Sequence, residues 1–223
     1  MGFNIAIDGP AGAGKSTIAK NVAKELSFLY VDTGAMYRAI ALYFLNNGID
    51  YTQETTVSPL LSDISVTLAY EKGEQQIFLN GENVSGSIRK EEVGNTASVT
   101  SAYPSVRKKL LSLQQEIAGQ QDVIMDGRDI GTCVLPDAPL KIYLTASVET
   151  RARRRFDELT AKGVSCSMEE ICADIKERDD RDMHRAISPL CQAKDAILVD
   201  SSDMTISQVT DRIVTLARER MTK

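Results

Sequence analysis

The 223-residue sequence has no tryptophan, a single histidine and only four cysteines. The cysteines, at positions 133, 166, 172 and 191, form no Cys-x-x-Cys pair, and His184 alone cannot complete a Cys/His metal cluster. No stretch approaches the ~20 consecutive apolar residues that span a bilayer. The N-terminal segment also lacks the charged and apolar pattern of a secretory signal. We therefore expect free thiols and a soluble, cytoplasmic protein.

The chain also lacks an excess of positive charge. Its 26 Lys and Arg residues against 31 Asp and Glu residues give a formal net charge of −5. A field of that sign does not attract nucleic acid or an acidic membrane. We therefore expect neither as a partner, and any phosphate group that the protein binds must be held by local chemistry.

Short apolar runs of about strand length recur along the chain and end at charged or glycine residues. They are Asn4–Asp8, Phe28–Asp32, Val123–Asp126, Leu140–Thr145 and Ala196–Asp200. They are apolar throughout, which is typical of strands buried on both faces of a parallel sheet. Helical patterns separate them, including one that Thr205 and Gln208 begin as a capping box. The sequence therefore predicts an α/β fold with a central parallel five-stranded sheet flanked by helices.

Two stretches break this alternation. Residues 60–90 show period-two hydrophobicity followed by the turn signal Asn80-Gly81, which predicts a small antiparallel insertion. Residues 151–190 are highly charged and show no strand pattern, which indicates a mobile, solvated segment. If residues 168–185 are helical, the spacing of Arg178, Arg181 and Arg185 places all three on one helix face.

A glycine-rich motif follows the first predicted strand and opens a helix. Gly9-x-x-x-x-Gly14-Lys15-Ser16 matches the phosphate-binding loop in full. Glycines let successive backbone N–H groups point inward at oxygen anions, and the helix N-terminus adds partial positive charge. Lys15 is expected to reach the β- and γ-phosphates, and the Ser16 hydroxyl to ligate Mg²⁺. GTPase-type Asp-x-x-Gly and Asn-Lys-x-Asp motifs do not occur, which leaves small-molecule kinases and nucleotide sensors.

Arginines that follow strand or glycine signals indicate a second phosphate site. Arg38 lies beyond Asp32-Thr33-Gly34, and Arg128 lies between Asp126 and Asp129. A kinase whose acceptor is already phosphorylated needs such guanidinium groups to overcome repulsion between two anions. Other interpretations remain open for these residues. Arg128 could form a structural ion pair, Arg38 could extend from the edge of the core, and Asp126 could orient Mg²⁺ or cap a turn. The arginines within 151–155 and 178–185 could belong to solvated helix faces.

Four segments together resemble the bacterial cytidylate (CMP) kinases of the nucleoside monophosphate kinase group. They are IDGPAGAGKST at 7–17, DTGAMYR at 32–38, GRDIGT at 127–132 and ERDDRDMHR at 177–185. The resemblance extends over essentially the whole chain. It implies a P-loop kinase that transfers the γ-phosphoryl group of ATP to CMP or dCMP, with Mg²⁺, in pyrimidine nucleotide metabolism. We expect the chain to act as a monomer.

The resemblance also implies substrate contacts. The positions that face the cytosine ring are matched by Thr33, Arg107 and Asp129. Those near the sugar are matched by Ser98, Arg178 and Asp182, although the run containing Ser98 could instead cap the following helix. Those that hold the acceptor phosphate are matched by Arg38, Arg128 and Arg185. Some relatives have Ser in place of Thr33 and Glu in place of Asp126, so ring packing at the first position and the role of the second are open.

Roles in catalysis and donor binding follow from the glycine motif and from the arginines. Charge on the transferred group is expected to be stabilised by Lys15, Arg128, Arg178 and Arg185. ATP is expected to bind Gly9, Pro10, Ala11, Gly12, Ala13, Gly14, Lys15, Ser16, Thr17, Arg151 and Arg155. Which of the arginines at 151, 153, 154 and 155 contacts ATP is open from the sequence. In domain terms, the resemblance implies a nucleotide-binding core (1–33, 97–150 and 186–223), a monophosphate-binding domain with the antiparallel insertion (34–96) and a helical lid (151–185).

The chemistry of the bases agrees with the expected specificity. Cytosine carries an amino donor where uracil carries a carbonyl acceptor, and a carboxylate such as Asp129 pairs with the donor. A buried carboxylate placed against uracil would leave both groups unpaired, at a cost of about 1–3 kcal/mol. We therefore expect CMP to be preferred over UMP. The remaining alternatives are a P-loop kinase for UMP, AMP or a non-nucleotide acceptor, and a nucleotide sensor without turnover.

Overall fold

A computed structural model describes residues 2–222 as an α/β structure. The strands are β1 Asn4–Asp8, β2 Leu29–Asp32, β3 Val66–Glu71, β4 Glu74–Leu79, β5 Glu82–Asn83, β6 Val123–Gly127, β7 Leu140–Thr145 and β8 Ile197–Asp200. The helices are α1 Lys15–Leu26, α2 Thr33–Asn46, α3 Glu54–Val57, α4 Glu91–Thr100, α5 Pro104–Gln120, α6 Val148–Ala161, α7 Met168–His184 and α8 Ile206–Met221. Short 3₁₀ helices lie at Ser58–Asp63 and Ser87–Arg89, and a π-helical turn lies at Ile130–Val134.

The chain divides into two compact units. The first contains the residues up to Tyr30 and from Gln120 onward, and the second is Val31–Gly119. The predicted lid, 151–185, lies in the first unit and contains α6 and α7. The predicted monophosphate-binding domain, 34–96, lies in the second unit, which also contains the end of α4 and almost all of α5. The functional division proposed from the sequence stays a prediction.

The predicted five-stranded sheet is confirmed, with order β2-β6-β1-β7-β8. Strand β1 pairs in parallel with β6 and β7, and β7 pairs in parallel with β8. Asp8, at the end of β1, lies opposite Gly127 of β6 and Tyr143 of β7. Because parallel strands end at the same edge of a sheet, the loops after β1, β6 and β7 leave that edge side by side.

The core of the first unit lies between this sheet and its helices. Ile5, Ile7 and Ile142 are fully or almost fully buried and belong to one apolar cluster with Val22 of α1 and Ile213 of α8. Burial of each such side chain contributes about 1.5–3 kcal/mol. Consecutive residues of β1 and β7 are buried, so both faces of these two central strands are covered.

Helix α8 begins as the sequence predicts. The Thr205 hydroxyl accepts a hydrogen bond from the backbone N–H of Gln208, and the Gln208 side chain accepts one from the backbone N–H of Thr205. This reciprocal capping box satisfies two N–H groups that the helix leaves unpaired. The prediction of the helix start is confirmed.

The second unit contains the predicted antiparallel insertion, with strand order β3-β4-β5. Asn80 and Gly81, with φ of 50° and 86°, form the turn between β4 and β5. Lys72 and Gly73, with φ of 52° and 80°, form the turn between β3 and β4. Two consecutive positive φ values suit a tight hairpin. Helix α2 packs against α4 and β4.

The expectation of a solvated segment over 151–190 is wrong for part of its length. Arg151 of α6 is buried, as are Asp179 and Asp182 of α7. The expectation of a single arginine face is also wrong. Arg181 points to solvent, where it pairs with Glu177 at 2.6 Å, and Arg185 follows the helix in an extended conformation. Within residues 2–222, no helix is both long and apolar enough to cross a membrane.

Candidate functional site

The glycine loop joins β1 to α1 in the first unit. Gly9 has a φ of 149°, and a Cβ atom there would lie 1.9 Å from the carbonyl oxygen of Leu144, so only glycine allows β1 to leave the sheet at this point. Gly14, in the left-handed conformation, precedes α1 and provides no side-chain cap. The first N–H groups of α1 therefore have no side-chain acceptor at Gly14, an arrangement that suits an anion.

Lys15 lies inside the loop and is almost fully buried. Its Nζ donates to the carbonyl oxygens of Gly9 at 2.7 Å and Pro10 at 2.8 Å. Burial, followed by the charge of Arg128, lowers the pKa of Lys15 to about 7. A phosphate group beside this amine would favour its charged form.

Ser16, Asp126 and Tyr30 form a hydroxyl–carboxylate group beside the loop. Ser16 Oγ donates to Asp126 Oδ2 at 2.9 Å, and Tyr30 Oη donates to Asp126 Oδ1 at 2.9 Å. Asp126 is buried, whereas Ser16 is exposed at the start of α1. Hydroxyl and carboxylate oxygens are the donors that Mg²⁺ prefers, so these residues fit the ion that the sequence predicts.

Charged side chains from α7 and from the loop after β6 meet in the first unit. Arg128 Nε donates to Asp182 Oδ2 at 2.8 Å, so the partner of Arg128 is not a flanking aspartate. Arg185 Nη2 lies 3.6 Å from Asp129 Oδ1. Burial opposes ionisation of Asp182, but Arg128, with Arg178 and Arg185, outweighs it and lowers the pKa of Asp182. The structure thus brings together all five predicted substrate residues of this unit.

The two predicted ATP-binding arginines of α6 lie in different environments. Arg151 donates to the carbonyl oxygens of Ala146 and Ala11, each at 2.9 Å, and pairs with Asp179 at 2.7 Å. Arg151 therefore links the glycine loop to α7. Arg155 pairs with Glu158, one turn further along α6, as part of a solvated helix face. Direct ATP contacts by these arginines stay a prediction.

In the second unit, Asp32 organises the start of α2. It accepts from the backbone N–H of Ala35 at 2.9 Å and pairs with Arg38 at 3.0 Å and with Arg89 at 3.7 Å. The Gln75 side chain of β4 holds the Asp32 backbone through two hydrogen bonds. It accepts one from the Asp32 N–H and donates one to the Asp32 carbonyl. Within the described residues, the buried Nε of Arg38 has no hydrogen-bond partner. An unpaired guanidinium N–H suits an anionic ligand.

The other predicted contacts of the second unit lie on its helices. Thr33 is buried at the first position of α2. Arg107 of α5 donates to the Ser101 carbonyl at 3.2 Å, and its guanidinium lies 5.7 Å from the ring centre of Tyr37. Ser98 lies within α4, so its interpretation as a cap of the following helix is wrong.

Sequence reasoning overlooked the residues that hold these side chains in place. Tyr30, Asp32 and Asp179 each bond a predicted site residue or its immediate partner. The position of Asp32 before Thr33 carried the signal of a helix N-cap. The other two carried no local signal, because their partners are distant in the sequence.

Comparisons with known proteins agree on one family. A family model described as cytidylate kinase matches residues 5–219. The chain is 50% identical to the cytidylate kinase of Desulfitobacterium hafniense over 219 residues, which cover 98% of this chain and 94% of that protein. It is 50% identical to the cytidylate kinase of Ligilactobacillus salivarius over 218 residues, which cover 98% and 97%.

A solved structure of an uncharacterised protein from Eubacterium ventriosum is similar in fold alone. The TM-score is 0.54 at 13% sequence identity, with 98% of this chain and 99% of that chain covered.

Proposed function

The chain belongs to the cytidylate kinase family, and from that membership we infer that it transfers the γ-phosphoryl group of ATP to CMP, giving ADP and CDP. One structural observation carries this proposal beyond membership. The first unit contains the cluster of Arg128, Arg178 and Arg185 around Asp182 in addition to the phosphate-binding loop. A sensor of one triphosphate does not need a second set of arginines, whereas a kinase with a phosphorylated acceptor does.

We propose that the loop 9–17 binds the phosphates of ATP. Its backbone N–H groups and the α1 N-terminus face the phosphate oxygens, and Lys15 exchanges its carbonyl partners for the β- and γ-phosphates. Ser16, with Asp126 behind it, holds Mg²⁺, which when bound neutralises charge on the phosphates. Arg151 fixes the position of the loop through the Ala11 carbonyl and completes the ATP-binding set with Arg155.

The CMP phosphate is assigned to Arg38, Arg128 and Arg185. The unpaired Nε of Arg38 supports this assignment. So does the ion pairing of Arg128 and Arg185 with aspartates, because these pairs keep both guanidinium groups ordered before the substrate arrives. The sugar is assigned to Ser98, Arg178 and Asp182.

The cytosine ring is assigned to Thr33, Arg107 and Asp129. Asp129 is a buried carboxylate, which can only accept hydrogen bonds, so a ring group placed against it must be a donor. The exocyclic amino group of cytosine supplies one, and uracil does not. Selectivity for CMP over UMP therefore follows from Asp129.

The reaction needs positioning more than covalent chemistry. An oxygen of the CMP phosphate attacks the γ-phosphorus, and the bond to the oxygen that bridges the β- and γ-phosphates breaks, leaving ADP. The acceptor is already anionic, so no general base is required. Lys15 and the arginines at 128, 178 and 185 stabilise the charge that spreads over the transferred group.

A substrate panel tests the proposal. ADP release from ATP and Mg²⁺ is measured with CMP, dCMP, UMP and AMP as acceptors, and we expect CMP to give the highest kcat/KM. Arg128→Ala should lower kcat by about 10³, whereas Arg181→Ala, the matched change at an exposed arginine of α7, should leave it within about twofold. No CMP-dependent ADP release, or faster transfer to UMP or AMP, would contradict the proposal. Use of dCMP, a monomeric state and a cytoplasmic location stay predictions.

A further inference from the structure

The carboxylate of Asp8 reaches from the sheet to the loop that follows β6. Asp8 ends β1 and is 5% exposed. Its Oδ1 accepts from the backbone N–H of Ile130 at 2.8 Å, and its Oδ2 accepts from the N–H of Gly131 at 2.7 Å. These two N–H groups begin the π-helical turn at Ile130–Val134.

The two bonds constrain the loop in both position and orientation. A single hydrogen bond would leave the loop free to rotate about it, whereas two bonds from adjacent N–H groups to one carboxylate fix the direction of the chain. The residues immediately before these N–H groups are Arg128 and Asp129, which carry the acceptor-site contacts. The same Asp8 is joined directly to Gly9, the first residue of the phosphate-binding loop.

The glycine at position 131 is a second, independent feature of this arrangement. A Cβ atom at Gly131 would lie 3.3 Å from Asp8 Oδ2 and 3.1 Å from Lys141 Cδ. The Lys141 side chain has little room to yield, because its amine bonds both the Pro136 carbonyl and Asp195. A side chain at position 131 would therefore press against both Asp8 and Lys141, and glycine favours this close approach of the carboxylate to the turn.

We propose that Asp8 is a positioning residue of the acceptor site, which holds Arg128 and Asp129 in register with the phosphate-binding loop through the N–H groups of Ile130 and Gly131. The inference rests on the proposed function, because it assigns the consequence of this contact to CMP recognition. The proposal assigns Asp8 no substrate contact of its own.

The test is the ratio of kcat/KM for CMP to kcat/KM for UMP in Asp8→Asn. Asparagine keeps the shape of the side chain, but its amide NH₂ must face one of the two N–H groups, so one bond is lost and the loop shifts. We expect the ratio to fall about tenfold, which is the effect of one lost charge-assisted hydrogen bond. The dissociation constant of ATP should change less than this ratio, because both hydrogen bonds of the Asp8 carboxylate come from the turn after β6.

This readout separates positioning from a general loss of structure. A variant that is partly unfolded has less active enzyme, which lowers both kcat values equally and leaves the ratio unchanged. Asp122→Asn is the matched control, since the exposed Asp122 also accepts a backbone N–H bond, from Phe3 at 2.5 Å, and should keep the wild-type ratio.

Gly131→Ala disturbs the same contact, because its Cβ atom would crowd the Asp8 carboxylate. It should also lower the CMP-to-UMP ratio of kcat/KM, so it serves as the test variant if Asp8→Asn does not fold. An unchanged ratio in both variants, with a selective wild type, would overturn the inference and leave the proposed function standing. A wild-type protein without CMP-dependent transfer would overturn the proposed function itself.

Discussion

Replacing Asp182 by Asn removes the charge that the arginine cluster surrounds. Arg128 Nε donates to Asp182 Oδ2 at 2.8 Å, and the two side chains are 20% and 7% exposed. The variant keeps the size of the side chain but leaves Arg128, Arg178 and Arg185 as neighbouring cations without that counter-charge. We therefore expect a loss of both stability and activity.

The magnitude follows from the burial of the pair. Breaking a fully buried ion pair costs about 3–5 kcal/mol, but Arg128 is partly exposed and asparagine still accepts a hydrogen bond, so we expect about 2 kcal/mol. For a chain of this size, that corresponds to a fall in Tm of about 4–8 °C. Because the pKa of Asp182 is below its ordinary value, the carboxylate is ionised at pH 7. The contribution of the ion pair to stability is therefore present at that pH.

Asp180→Asn is the control for this experiment. Asp180 lies on the same helix and pairs with His184, but both side chains are 74% exposed, so its loss should cost no more than about 0.5 kcal/mol. Thermal unfolding of both variants at pH 7 compares them directly, and CMP saturation kinetics of Asp182→Asn should show a raised KM. Equal Tm values for the two variants would refute the reasoning about the cluster.

Three other predictions concern single side chains. Asp129→Ala should lower the CMP-to-UMP ratio of kcat/KM by about tenfold or more, whereas Asp137→Ala at the surface should not; unchanged selectivity would exclude the base contact. Arg185→Ala should raise KM for CMP or lower kcat about tenfold while calorimetry shows unaltered ATP binding; loss of ATP binding alone would contradict its role. Burial raises the pKa of Asp8 to about 6, so its contribution to stability is present below about pH 4 and lost as the pH rises through 6. Between pH 4 and pH 7, the free energy of unfolding of Asp8→Asn, measured in urea, should therefore rise by about 2 kcal/mol relative to that of the wild type. Parallel pH profiles would count against this.

The sheet was predictable from sequence because its central strands β1, β6 and β7 have consecutive buried residues on both faces. That burial demands continuous apolar runs, and the strand ends differ from the predicted ones by at most one residue. The phosphate-binding loop was predictable for a different reason. Positions such as Gly9 tolerate no side chain, so the loop requires glycines at fixed positions and the sequence motif reveals it.

The partners of the charged residues could not be predicted in the same way. Arg128 lies between Asp126 and Asp129 in sequence, yet it pairs with Asp182 because the loop directs the guanidinium toward α7. Asp8 bonds a turn more than 120 residues away, and no spacing rule links the two. Arg181 matched the helical spacing of its neighbours but pairs with Glu177 in solvent.

Of the two hairpin turns, only one could be recognised from its local sequence. Asn80-Gly81 was recognised because asparagine and glycine both favour positive φ. Lys72-Gly73 forms an equivalent turn, although lysine carries no such preference. The antiparallel pairing of β3 and β4 on either side imposes that conformation.

The most direct test of the proposed function is a competition experiment in which two acceptors are present together. ATP labelled in the γ-phosphate is incubated with the protein, Mg²⁺ and equal concentrations of CMP and UMP, and the labelled products are separated. Competition of this kind reports the ratio of the two kcat/KM values. The proposed function predicts that most of the label appears in CDP. Label found mainly in inorganic phosphate, or equally in CDP and UDP, would contradict it.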